Sequence, residues 1–187
     1  DTNLIVLDNL NIDARLKALE SAILGGVDVT LFDENMRNAT FLLYEDTVYS
    51  VAEFTAMYPE FCSENSGYAL NYATSIFGWD YNVFTCSITP FTVTSATKIA
   101  VQFTAGSTET GSLRLVQSET GNPAQLLQKA QTVGEYTELD FQWLYCTNFI
   151  TTLTSCANIA TGAYYLVWVG KSNNSQPKIK SIKIMGG

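Results

Sequence analysis

The chain contains no histidine. Serine and cysteine nucleophiles therefore lack their usual base, and zinc lacks its commonest nitrogen ligand. Its four cysteines, Cys62, Cys86, Cys146 and Cys156, make no CxxC pair. A zinc site would need widely spaced thiolates or carboxylates, so no metal is expected. Free buried thiols are the expected state, with a Cys146–Cys156 bridge as the alternative in an oxidising compartment. Charge is scarce, at 15% of residues. The one lysine cluster, Lys178, Lys180 and Lys183, has near-alternate spacing. That reads as a solvated strand face or charged edge rather than a groove-filling basic patch, and no nucleic-acid partner is expected. No apolar run approaches the ~18 residues of a spanning helix, so no membrane insertion is expected. Phosphate-cradling GxxxxGK[ST] and GxGxxG sequences are absent as well. A glycosidase needs two carboxylates ~5 to 9.5 Å apart. Beyond residue 64 the acids are Asp80, Glu109, Glu119, Glu135, Glu138 and Asp140. The Glu138/Asp140 spacing suits one solvent-facing strand face, so neither an enzyme nor a cofactor is expected.

What charge there is sits unevenly. Residues 1–64 hold twelve acids against three bases, a net −9, and residues 65–187 hold six against seven, a net +1. The front is acidic and the back nearly neutral. A length of 187 residues suits one domain, or a short stalk and a domain. Abundant Tyr, Phe, Thr, Ser and Asn favour a β-rich protein. A secretory signal removed ahead of Asp1 is compatible with this sequence.

One segment has the pattern of an amphipathic helix with a narrow seam, Asn11 to Gly26. Ile12, Leu16, Leu19 and Ile23 follow each other at steps of four, three and four, the a/d spacing of a heptad. Asn11 suits an N-cap, Asp13 complements the helix dipole, and Gly25-Gly26 suits a stop. A helix this short is marginal alone. It either packs on its own domain or shares its seam with other copies in a short parallel bundle, the latter being favoured by its narrow stripe.

Beyond Gly26 the period changes. VDVTLF (27–32) and ATFLLY (39–44) read together as a hairpin, and TVYSV as a third short strand or lead-in. Ser50 and Glu53 form a capping-box pattern ahead of a short helix that Pro59 stops. Three divisions are expected: a stalk over 1–26, a small α+β connector over 27–64, and an antiparallel β-sandwich head over 65–187. In the head, YALNYAT, DYNVFTCSI, KIAVQFTA, SLRLVQS and YTELDFQWL read as strands. AQLLQKAQTV (124–133) is read as extended, and the Thr-rich stretch 147–162 as a long loop or irregular strand. GAYYLVWVG and KIKSIKIM read as a closing hairpin whose second strand carries a bulge. Trp143 and Trp168 are assigned to the core.

The closing rhythm, Gly134, Tyr136 to Phe141, Gly162 to Val169 and Ile179 to Met185, resembles the ending of galactose-binding-like jelly rolls and carbohydrate-binding modules, over about residues 65 to 187. The amino-terminal LNIDARLKALE leading to a β-rich head is similar to trimeric fibre and spike proteins of bacteriophages, over about residues 1 to 26. These resemblances imply a homotrimer on the virion surface, joined to other virion proteins through its amino terminus and attaching to a cell-surface glycan. The alternative they imply is a monomeric carbohydrate-binding module of a secreted bacterial enzyme or scaffold. Neither supplies a catalytic residue, and no calcium-binding loop of the kind many such modules carry is evident. The ligand candidates come from composition. Trp79, Asp80, Tyr81 and Asn82, after Gly78, offer rings for pyranose faces and polar groups for hydroxyls. Plugging the sandwich end is the alternative for Trp79. Tyr145, at the 145–148 corner, is a second candidate.

Overall fold

Short segments of alternating apolar residues, broken by tight turns, give a mainly β chain in the computed structural model, which describes residues 28–62, 69–78, 82–104, 111–141, 150–171 and 177–186. In chain order these residues form β1 (Val29–Phe32), β2 (Thr40–Tyr44), β3 (Thr47–Ser50), α1 (Val51–Met57), β4 (Leu70–Asn71), α2 (Thr74–Phe77), β5 (Asn82–Ser87) and β6 (Phe91–Val93). They continue with β7 (Lys98–Phe103), β8 (Gly111–Val116), α3 (Pro123–Lys129), β9 (Tyr136–Phe141), β10 (Ile150–Ser155), β11 (Gly162–Lys171) and β12 (Lys178–Met185). The Cys146–Trp143 region and the proposed seam Ile12, Leu16, Leu19 and Ile23 lie outside the described residues.

The strands make two antiparallel sheets. One runs β1-β12-β7-β10, with β4 also pairing β12; the other runs β3-β2-β5-β11-β8-β9, with β6 also pairing β11. Residues directly opposite in an antiparallel ladder share a face. Leu42, Thr85, Trp168, Leu113 and Leu139 therefore form one inward row across the larger sheet. Phe32, Ile182 and Val101 form the matching row of the smaller sheet. The two rows meet in a single apolar core, in which the Phe32 and Trp168 rings stand 6.1 Å apart. The arrangement is β-sandwich-like, and Trp168 is fully buried within it.

Local chemistry accounts for several joins. Glu45 and Asp46 both take positive φ, 47° and 61°, so the β2–β3 loop is a two-residue turn of the hand that matches strand twist. Ser50 caps α1: its hydroxyl accepts from Glu53 N at 3.1 Å while Ser50 N donates to the Glu53 carboxylate at 2.8 Å. The reciprocal cap pulls the Glu53 carboxyl below its ordinary value, chiefly through the Ser50 amide. A register shift between Ile179 and Ser181 is the expected bulge in β12.

Two expected pairings differ. β1 and β2 do not form a hairpin, because β1 joins β12 while β2 joins β3 and β5. The 33–39 turn carries the chain from one sheet to the other, and alternation specifies which face a strand buries, not its partner. Strands between residues 29 and 50 thus belong to both sheets, and the described part of 27–64 is woven into the sandwich rather than set beside it as a connector. β11 and β12 likewise lie in different sheets: β5 and β8 occupy both edges of β11, leaving none for β12. The lysines 178, 180 and 183 therefore sit on an interior strand, between β1 and β7, and not on an edge.

The stretch 124–133, expected to be extended, contains α3. The Asn122 side chain accepts from Ala124 N and Gln125 N at 3.0 and 3.3 Å, and Pro123 takes the first turn where its missing N–H is harmless. Leu126, Leu127 and Ala130 then bury against Cys86, Val116, Tyr165 and Val167 on the outer face of the larger sheet. That cover buries β11 on both faces, so every residue from Tyr164 to Gly170 is buried.

Candidate functional site

An aromatic cluster fixes the approach to the segment with the strongest ligand chemistry. Phe54 of α1 stacks parallel to Phe77 of α2 at 5.5 Å, Phe61 meets both edge-on at 4.9 and 5.6 Å, and Tyr72 stacks on Phe77 at 6.0 Å. Tyr44 closes the cluster against Phe54 and Tyr58, and burial first, then the Tyr58 hydrogen bond, pushes its hydroxyl up to about 12. Tyr72 is held through its polar end too. Its hydroxyl accepts from Trp168 Nε1 at 2.9 Å and meets Thr85 Oγ1 at 2.7 Å, and burial raises its pKa despite both bonds. Buried aromatic pairs of this kind contribute ~0.5 to 1.5 kcal/mol each beyond area burial.

Gly78 then leaves α2 at φ 76°, with open space where a Cβ would stand. The chain re-enters at Asn82, exposed and opposite Lys171, and at Val83, buried and opposite Gly170. Trp79, Asp80 and Tyr81 lie outside the described residues, as does Tyr145. Their flanking strands are placed, however. Gly170 faces Gly111, which faces Phe141, while Phe103 faces both Ile150 and Ile179. The strand ends that border 79–81, 105–110, 142–149 and 172–176 therefore gather at one end of the sandwich. The two ligand candidates, far apart in sequence, are both bordered by that end.

Elsewhere the polar side chains are tied to structure. Glu138, expected on a solvated strand face, accepts from Ser112 Oγ in a short hydrogen bond and pairs with Arg114 at 3.8 Å. The Arg114 guanidinium lies over the Phe84 and Tyr136 rings at 5.2 and 4.4 Å and donates to Ala130 O at 2.7 Å, fastening the carboxyl end of α3. Cys62, Cys86 and Cys156 are buried, and Cys86 and Cys156 carry free thiols, while Cys146 lies outside the described residues. Burial pushes the Cys86 thiol up to about 12 and Cys156 up to about 11, which leaves them as inert apolar groups. Among the described residues no group of three or more Cys, Asp or Glu is arranged to hold a metal ion. Among the same residues no helix is long and apolar enough to cross a membrane.

A polar groove that no residue pattern above predicts lies beside α3, at the other end of β8 and β9. Ser118, Glu119, Thr120, Gln125, Gln128, Lys129, Thr132 and Glu135 line an open groove of about 610 Å³. Taking 124–133 as extended hid it. The available signals were the Asn122-Pro123 start and the polar set 125, 128, 129 and 132, one stripe at i, i+3, i+4 and i+7. No protein-family model matches the chain, and no curated protein is significantly similar to it in sequence.

Proposed function

We propose that the chain is a homotrimeric virion fibre or spike protein whose β-sandwich head, of jelly-roll type, attaches to host surface glycans. The observation that carries the binding half of this reading is the gathering of strand ends at one pole, which brings the borders of the 79–82 and 142–149 segments together. A rigid scaffold with its variable chemistry at one end is a common plan for recognition. In this reading Trp79, Tyr81 and Tyr145 stack on pyranose faces while Asp80 and Asn82 hydrogen-bond hydroxyls. Helix seams at Ile12, Leu16, Leu19 and Ile23 join three copies, and avidity compensates for weak single-site contacts. The amino terminus joins other virion proteins.

The test pairs a glycan array with light scattering on the full chain. A mass near three times 20.6 kDa is expected, falling to a folded monomer when Leu16 and Leu19 become Ser. Persistence of the trimer in that variant removes the seam. A wild-type monomer that binds polysaccharide favours the secreted-module alternative. Trp79→Ala is expected to weaken glycan binding by about 10-fold at unchanged melting temperature. A stability loss of ~3 to 5 kcal/mol instead makes Trp79 a core plug.

A further inference from the structure

From the groove beside α3 we infer a second ligand site, for a neutral hydroxyl-rich chain such as an oligosaccharide, at the opposite end of β8 and β9 from the pole that borders the 79–81 segment. The inference rests on the glycan-binding reading above for its ligand class, and on the groove's own geometry for its location.

Three features set the groove apart from an ordinary polar surface. First, its wall is rigid. The apolar face of α3 is buried on the sheet through Leu126, Leu127 and Ala130, and Arg114 holds the carbonyl of Ala130. The opposite side of the helix, with Gln125, Gln128 and Lys129, is thereby held toward the groove, and Thr132 of the turn that follows joins the lining. Second, the side chains are ordered by contacts within the protein. Thr120 Oγ1 donates to Gln125 Oε1 at 2.7 Å, leaving the Gln125 amide N–H groups free to donate. Lys129 Nζ donates to Gln117 O at 3.0 Å and lies 3.9 Å from the Glu135 carboxylate. Preorganised groups lose less entropy when a ligand arrives. Third, the charge balance selects. Lys129 is offset by Glu135, so Glu119 leaves the lining at a net −1. An anionic ligand is disfavoured, while amides, hydroxyls and a carboxylate match neutral sugar hydroxyls as donors and acceptors. The volume falls in the ~300 to 1,000 Å³ range of small-molecule sites. Without an aromatic platform in the lining, a single contact is weak, near the millimolar range.

The test uses the full chain, isotope-labelled, titrated to ~10 mM with neutral and acidic oligosaccharides of an array and with an arginine-rich peptide. A neutral oligosaccharide is expected to shift the Gln125 and Gln128 side-chain amide signals, and Gln125→Ala with Gln128→Ala is expected to lower that affinity about 10-fold. Binding kept in Trp79→Ala but lost in the glutamine variant supports the groove and removes the Trp79 assignment. Binding of neutral sugar unchanged in the glutamine variant, with no shift at either amide, overturns the groove and leaves the proposed function standing. Shifts caused by the arginine-rich peptide or by acidic sugars alone overturn the ligand class. No oligosaccharide binding anywhere overturns both readings.

Discussion

Replacing Gly170 by Ala tests the packing on which the candidate pole depends. A Cβ at Gly170 would stand 2.4 Å from Tyr72 Cδ1, 2.6 Å from Cγ and 2.9 Å from Cε1, well inside van der Waals contact. The ring has little freedom to retreat. Its hydroxyl is bonded to Trp168 and Thr85, and its body is flanked by Phe61 at 5.7 Å and Phe77 at 6.0 Å. Overpacking a tight core costs ~1 to 3 kcal/mol. Pulling the hydroxyl off the buried Trp168 Nε1 adds ~1 to 3 kcal/mol for an unsatisfied donor. A total loss of about 3 kcal/mol is expected, lowering the melting temperature by roughly 6 to 12 °C in a domain of this size. Urea denaturation supplies the free energy and calorimetry the temperature. The decisive measurement is a double-mutant cycle with Tyr72→Ala, in which the added methyl group meets space instead of a ring. Gly170→Ala should be nearly neutral in that background, giving a coupling of about 3 kcal/mol. Additive losses, or a single-variant effect under ~0.5 kcal/mol, would refute the account of Tyr72 as a fixed wedge between the two sheets.

Two further outcomes follow from local chemistry. Ser50→Ala should remove the α1 cap and destabilise the protein by about 1 kcal/mol. The Glu53 carboxyl is depressed chiefly by the Ser50 amide, so its contribution is present above the unfolded pKa and lost as pH falls through the lower folded one; wild type and Glu53→Gln should therefore converge in acid-unfolding curves at the lowest pH. Cys86 and Cys156 are raised by burial to about 12 and about 11, so their protonated forms stabilise the fold below the unfolded thiol pKa. That contribution should be lost as pH rises from about 9 through 11 to 12. At neutral pH both should resist a thiol reagent until denaturant is added, and rapid labelling of the native protein would contradict their burial.

Much of the local structure could be read from residues alone, because it depends on neighbours within a few positions. The Ser50/Glu53 box, the stop near Pro59, the inward placement of Leu139 in β9, the bulge in β12 and the burial of Trp168 are of that kind. So is the turn at Gly78, which does take positive φ. The long-range choices were not legible. A period of two assigns Leu31 or Ile182 to a face but leaves the partner strand open, so sequence adjacency points β1 to β2 and β12 to β11, whereas β1 and β12 pair with each other. Strong capping at Asn122 competed with a β-rich context, and the apolar patch that holds α3 exists only once Cys86, Val116 and Val167 are brought to one sheet face. The groove beside that helix inherits the same dependence. Composition decided that the chain would be mainly β and without histidine chemistry. Only the crossing of strands between two sheets, set by which faces could be buried together, decided which residues stand at each pole.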